Sequence, residues 1–377
     1  MANYFSLPSF VLYVAVGCMC GLWMKLTYSK RLKADPAAMY FGLWFFLTLF
    51  AVLRAVGPNG LGGMDAYGYD LIFRNLEADR IDRMEPLFKY GTMLIRYVTS
   101  EVFVYRFVCY GAIAFGYLFF LKRFVVSELS FIPFILMVFP YLRSFNTMRN
   151  SVAIAVFVIG IVLFSEKKTL RGVAMMVASF FFHRMSIIYI AFIPFYYMFR
   201  KSNFQNGKKL FVFLICYLVL GYLAARLLQD YIIAANLLSS EDNSDMYYIS
   251  TSVNENIFSR IPLMFQHILL LGAMICWNSR LPRTADVNFL RLLIVFDILI
   301  VPVSVVLGMW RSVEYFYIPR LVMWGYLIPC MVRPFTAKSK RILEFGLFAV
   351  FVFWLCFRIA KEWEPAGLLP YVPIFLN

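Results

Sequence analysis

Residues 101–123, EVFVYRFVCYGAIAFGYLFFLKR, decide the class of fold. Between acidic Glu101 and the basic pair Lys122-Arg123 lie twenty residues, of which only Arg106 is charged. At a rise of about 1.5 Å per residue, a helix of roughly 20 apolar residues matches the ~30 Å hydrocarbon core of a bilayer. Similar runs recur from Leu7 to Phe357, beginning near Pro8, Ala37, Glu101, Glu128, Asn150, Gly172, Ser186, Lys209, Ile261, Val287, Pro319 and Ile342. The expectation is an all-α, polytopic helical membrane protein with about 10–12 transmembrane helices, forming a single transmembrane domain over residues 1–377. Segments 172–182 and 186–199 are short enough to form a re-entrant hairpin instead of two crossings, which leaves the sidedness unchanged.

Composition agrees with the pattern. The 377-residue chain is 62% hydrophobic and 15% charged, against roughly 45–50% and 25% for soluble domains, and its mean hydropathy is +0.74. An outer-membrane type barrel would show short alternating segments, and that pattern is absent. The seven cysteines lie in or beside apolar runs with no CxxC pair and no metal-ligand spacing, so neither a disulfide framework nor a metal site is expected. No cofactor is expected either: there is no Walker lysine, Ser-His-Asp order or HExxH.

A net charge of +15 would suit nucleic acid, but its distribution points to a membrane and no nucleic-acid partner. Every second connector is basic: Lys25–Lys33, Lys122-Arg123, Lys167–Arg171, Arg200–Lys209, Arg280–Arg291 and Arg333–Arg341. Only Asp35, Glu128, Glu166 and Asp286 oppose them. Cytoplasmic loops collect Lys and Arg, which assigns this set to the cytoplasm and both termini to the outside. The first run lacks a basic region before it and reads as a retained span.

The opposite side holds two long connectors, 57–100 and 229–260. The first opens on Gly57, Pro58, Gly60, Gly62 and Gly63, carries Asp65, Tyr67, Tyr69 and Asp70, and reaches Glu85-Pro86, where Pro suits a first helical turn. The stretch 87–99 then reads as an amphipathic interfacial helix. The second is acidic and polar and reads as an outer loop.

Candidate chemistry collects on this side. Arg143, Arg149, Arg184, Arg260, Arg311 and Arg320 stand where topology does not favour positive charge. Each alone could snorkel or pair with a nearby acid. As a set, their fixed donor forks suit an anionic pyrophosphate. His183 is a candidate base near neutral pH, or else a polar helix cap. Asp65 and Glu85 could accept a hydroxyl proton or hold sugar hydroxyls, and Tyr67 and Tyr69 could stack on sugar rings. Arg311 and Glu314, three apart, could pair or serve the site. Asp70 reads as part of a solvated face, His267 as structural, and Asp297 as a span residue that could pair with Arg106.

The stretch Met148-Arg149-Asn150-Ser151 through Phe157, the basic turn Glu166-Lys167-Lys168, and Ser179-Phe180-Phe181-Phe182-His183-Arg184-Met185-Ser186 resemble the EpsG-like family of Wzy-type bacterial polysaccharide polymerases. Gly63-Met64-Asp65 with Tyr69 and Phe73, Glu85-Pro86-Leu87-Phe88, and Arg311–Phe316 ahead of Leu327-Ile328-Pro329 follow in the family's order. Met185 stands where that pattern has Ser.

The resemblance implies polymerisation of repeat units carried on undecaprenyl pyrophosphate at the outer face of the bacterial inner membrane. The implied partners are the lipid-linked oligosaccharide, the bilayer, and a chain-length regulator or other assembly proteins. In the expected reaction, metal-independent glycosyl transfer, a base removes the acceptor proton: His183, with Asp65, Glu85 and Glu314 as further candidates. Arg149 and Arg311, helped by Arg143, Arg184 or Arg320, hold the leaving pyrophosphate. A flippase for lipid-linked glycan and a glycan ligase are the alternatives.

Overall fold

The structure is a computed structural model that describes residues 5–28, 35–58, 61–63, 65–76, 81–82, 84–125, 131–202, 204, 206–234, 261–306, 314–361 and 371–374. Among these the chain is helical, with no β-strand beyond an isolated bridge between Arg54 and Pro373. In chain order the helices are α1 (Leu7–Thr27), α2 (Pro36–Val52), α3 (Ala66–Asn75), α4 (Pro86–Val98), α5 (Val102–Phe124), α6 (Phe131–Arg143), α7 (Met148–Ser165) and α8 (Thr169–Phe182). They continue with α9 (Ile187–Ile190), α10 (Phe192–Phe199), α11 (Gly207–Ala234), α12 (Ile261–Trp277), α13 (Ala285–Val306), α14 (Tyr317–Val332) and α15 (Ala337–Lys361). Each of the apolar runs expected from sequence is helical.

The chain is an all-α helical membrane protein. Among the described residues, α1, α5, α7 and the Ile342–Lys361 part of α15 are each long and apolar enough to cross a bilayer, and α2 and α8 are shorter apolar helices. The chain forms two compact units, Met1–Ile187 with Val332–Asn377, and Ile188–Met331.

Local sequence explains where helices begin. Ser6 caps α1 by accepting the Ser9 N–H at 3.3 Å, and Asp35 caps α2 by accepting those of Ala37 and Ala38. A side-chain oxygen at this position satisfies backbone donors that lack intrahelical partners. Pro36 and Pro86 sit in first turns, where a missing N–H does no harm.

In the first unit α7 is central, packed against α8 and α5, while α1 packs on α6 and α2 on α5. Burial separates the roles: 72% of the α7 apolar window is buried inside the protein, against 11% for Ile342–Lys361, which leaves the latter to face lipid. The α7–α8 hairpin closes through Gly160 and Gly172. A Cβ on Gly172 would stand 2.6 Å from the Phe164 nitrogen and 2.8 Å from the Gly160 oxygen. Small residues at such crossings let backbones touch, as association between lipid-embedded helices requires.

The two ends of this unit differ in chemistry. At one, Arg123 meets Glu166 at 3.6 Å, Lys168 meets Glu166 at 2.9 Å, and the Tyr28 hydroxyl bonds that of Tyr40. This is the basic end expected from charge bias. At the other, the N–H of Ala55 donates to Val372, that of Ile374 to Leu53 and that of Tyr371 to the Ser9 hydroxyl. The start of α1, the end of α2 and residues 371–374 therefore share one end. Here too lies α4, which buries Phe88 and Thr92 and exposes Tyr90, Leu94, Tyr97 and Val98. A helix with an apolar outward face suits the bilayer interface.

In the second unit α13 packs against α11, α10 and α12. Its Phe289 and Phe296 meet Phe192, and Phe296 also meets Phe316. Asp297, 1% exposed, lies 3.4 Å from Arg320 Nε and 3.6 Å from His267 Nε2. The expected pairing of Asp297 with Arg106 is therefore replaced, because a buried carboxylate takes the cation that its own bundle supplies. Arg320 also donates to the ring nitrogen of His267, so Nε2 accepts.

Candidate active site

Glu85 organises the site. It precedes Pro86 in extended backbone at the start of α4, which turns its side chain away from the helix, and it is 9% exposed. Its Oε2 lies 2.9 Å from an Arg149 terminal nitrogen, and its Oε1 accepts the backbone N–H of Arg184 at 3.1 Å. One carboxylate thus joins three segments far apart in sequence. Arg149, the second residue of α7, retains 25% side-chain exposure, and its Nε makes no hydrogen bond within the protein. It is held by Glu85 with donors left over.

His183 ends α8 in extended backbone and is buried. Its Nδ1 accepts the Met185 N–H at 3.3 Å, capping the single 3₁₀ turn Arg184–Ser186. An accepting Nδ1 places the proton of a neutral imidazole on Nε2, so that atom is a donor. The Ser186 hydroxyl is buried with no hydrogen-bond partner in the protein. Arg184 is exposed.

Asp65 reaches the same cluster through the backbone. Its N–H donates to Asn146 Oδ1 at 2.6 Å, in the turn between α6 and α7. That turn is fixed by the Arg143 carbonyl, which accepts from the N–H of Asn146 and of Thr147 at 3.0 Å each. Gly63, at φ +128°, makes the approach possible, since a Cβ there would stand 2.7 Å from the Phe145 oxygen. The Asp65 side chain is exposed and Arg143 is half-buried. Tyr67 and Tyr69 are half-buried on α3, and the Tyr69 ring meets Phe88 of α4 edge-on at 5.9 Å.

Beneath lies a buried ionic layer. Arg106 donates to Asp70 through Nε at 3.0 Å and again through a terminal nitrogen, and to the Arg54 carbonyl at 3.0 Å. Asp70, expected in a solvated face, is 3% exposed because Arg106, inside a span, requires a counter-charge. Arg54 is fully buried, stacked 3.8 Å from the Phe145 ring centre and donating to the Tyr110 hydroxyl at 2.9 Å. The sequence reading missed Arg54. The signal was available: it follows α2 directly on the side where the other candidate arginines stand.

The first unit thus brings Asp65, Glu85, Arg143, Arg149, His183 and Arg184 to one end. Glu314 and Arg320 belong to the second unit, Glu314 half-buried ahead of α14 and Arg320 engaged with Asp297 and His267. Arg260 and Arg311 lie outside the described residues, as does the 229–260 connector from residue 235 onward.

No curated protein and no solved structure matches this chain. A family model described as EpsG family matches residues 37–372 of the 377, and the chain belongs to that family.

Proposed function

We propose that this protein is a polysaccharide polymerase that transfers a growing glycan from undecaprenyl pyrophosphate to a terminal hydroxyl of a lipid-linked repeat unit, at the outer face of the inner membrane. Family membership points to the polymerase-type function. The observation that carries the finer reading is the Arg149 guanidinium, held by Glu85 on a side chain that stays one quarter exposed (25%) and whose Nε makes no hydrogen bond within the protein.

The acceptor oxygen attacks the anomeric carbon, and the bond from that carbon to the pyrophosphate oxygen breaks. The electron pair leaves on the diphosphate, so charge grows where Arg149, with Arg143 and Arg184, offers donors. Cations already in place need no reorganisation as that charge develops. The His183 Nε2–H supplies a further donor in this tautomer. The acceptor proton passes to a carboxylate, Asp65, which is exposed at this end of the unit, while Glu85 stays in its ion pair with Arg149. Glu85 is the positioning residue. Tyr67 and Tyr69, half-buried on α3, offer ring faces to sugars.

The test supplies purified protein with a defined undecaprenyl-pyrophosphate repeat unit and reads a product ladder by gel. Longer glycans are expected from the intact protein and not from Arg149→Ala. Equal ladders from both remove the site, and translocation of intact substrate without elongation favours the flippase.

A further inference from the structure

A second polar site lies in the second unit, at the end bearing the basic connector between α10 and α11. A cavity of about 260 Å³ is bounded by Arg200, Lys201 and Ser202 from that connector and by Asn288 and Arg291 from α13. Among the described residues lining it, three are cationic and none is acidic. Arg291 is only 2% exposed. One of its terminal nitrogens donates to Asn288 Oδ1 at 2.6 Å, while Nε and the other terminal nitrogen have no hydrogen-bond partner in the protein.

The geometry of Arg291 calls for a counter-charge. A guanidinium carries five donors, and a buried cation without a counter-charge is strongly destabilising. Arg291 is too deep to reach bulk water by snorkelling, whereas Arg200 and Lys201 are exposed at the mouth. The walls are fixed in advance: the Asn278 amide donates to the Phe204 carbonyl, and Phe204 packs on Phe199 and Phe213. The guanidinium fork, two further cations and a hydroxyl together offer donors to several oxygens of one oxyanion, as a phosphoryl group presents. The volume falls below the roughly 300–1,000 Å³ of pockets for drug-sized ligands, which excludes a dinucleotide and suits a single phosphoryl group.

We propose that this cavity binds one phosphoryl group, donated by the headgroup of an anionic membrane lipid or by free phosphate. Charge bias assigns this end to the cytoplasmic leaflet, where basic pockets between helices meet anionic headgroups. The proposal is independent of the polymerase reading, since it uses none of its residues.

The experiment titrates the full chain, in neutral detergent, with inorganic phosphate and separately with dihexanoyl phosphatidylglycerol. Dihexanoyl phosphatidylcholine and chloride at matched ionic strength serve as controls. Saturable binding is expected, with Kd raised about tenfold or more in Arg291→Gln. The double variant Arg200→Gln/Lys201→Gln changes only exposed side chains, so it tests the site without disturbing the bundle, and the same direction is expected. Binding of phosphatidylglycerol displaced by phosphate supports the lipid source, and binding of phosphate alone supports the free anion. Absence of saturable binding for both, or an unchanged Kd in both variants, overturns the proposal.

Discussion

A terminal nitrogen of Arg149 lies 2.9 Å from Glu85 Oε2, so the first turn of α7 is tied to the residue that opens α4. Because the other oxygen of Glu85 takes the Arg184 N–H, this carboxylate fixes the cation and the His183 segment together. Glu85→Gln keeps the shape but removes the charge that holds Arg149. Product formation is expected to fall about 100-fold or more, the range for losing one preorganised donor to a developing anion. Arg149→Ala should fall similarly, and the double variant should fall little further, because the two act as one unit. Additive losses in a ladder assay would separate them.

His183 has two duties that substitution can separate. Asn places an acceptor where Nδ1 meets the Met185 N–H and so keeps the cap, whereas Ala removes it at a cost of about 1 kcal/mol. His183→Asn is expected to match the wild-type melting temperature while losing about 100-fold in elongation rate. Full elongation by His183→Asn would leave the residue a cap alone.

The Arg106–Asp70 pair is expected to be structural. Removing one partner strands a buried charge, so Asp70→Asn should destabilise the protein by about 3–5 kcal/mol. Replacing both, as in Arg106→Met with Asp70→Leu, should recover most of that loss. Melting temperatures in detergent for the three variants decide it, and a double variant no better than the single one would contradict the pairing.

Gly172 tests the α7–α8 crossing. Gly172→Val would force Cβ against backbone atoms of α7 that cannot move aside, with an expected cost of at least about 1–3 kcal/mol. Gly68, which has open space around its Cβ position, should accept Ala without loss of folded yield.

The outward face of α4 makes a lipid-facing prediction. Tyr97 is 91% exposed. Tyr97→Trp should emit at blue-shifted wavelength in vesicles and be quenched by shallow nitroxide lipids more than by deep ones, as for a helix lying in the headgroup region. Emission typical of water, with no quenching, would place this face in solvent.

What the sequence determined by itself is what depends on neighbouring residues along the chain. Each apolar run became a helix, because hydropathy and span length are local properties. The alternation of basic connectors assigned the Lys122-Arg123 and Glu166–Lys168 turns to one side and the C-terminus to the other, because each span reverses the side; the structure has Arg123 with Glu166 at one end and residues 371–374 with Leu53 and Ala55 at the other. Glu85-Pro86 marked the start of α4 by its own backbone chemistry.

Only the tertiary structure decided who pairs with whom. Nothing local says that Arg106 meets Asp70, that Asp297 meets Arg320 and His267, or that Glu85 bridges Arg149 and Arg184. Charges within a bundle choose partners by which helix faces come together, and that choice rests on close crossings such as Gly160 against Gly172. A charged residue in a span announces that it needs a partner; packing chooses which one.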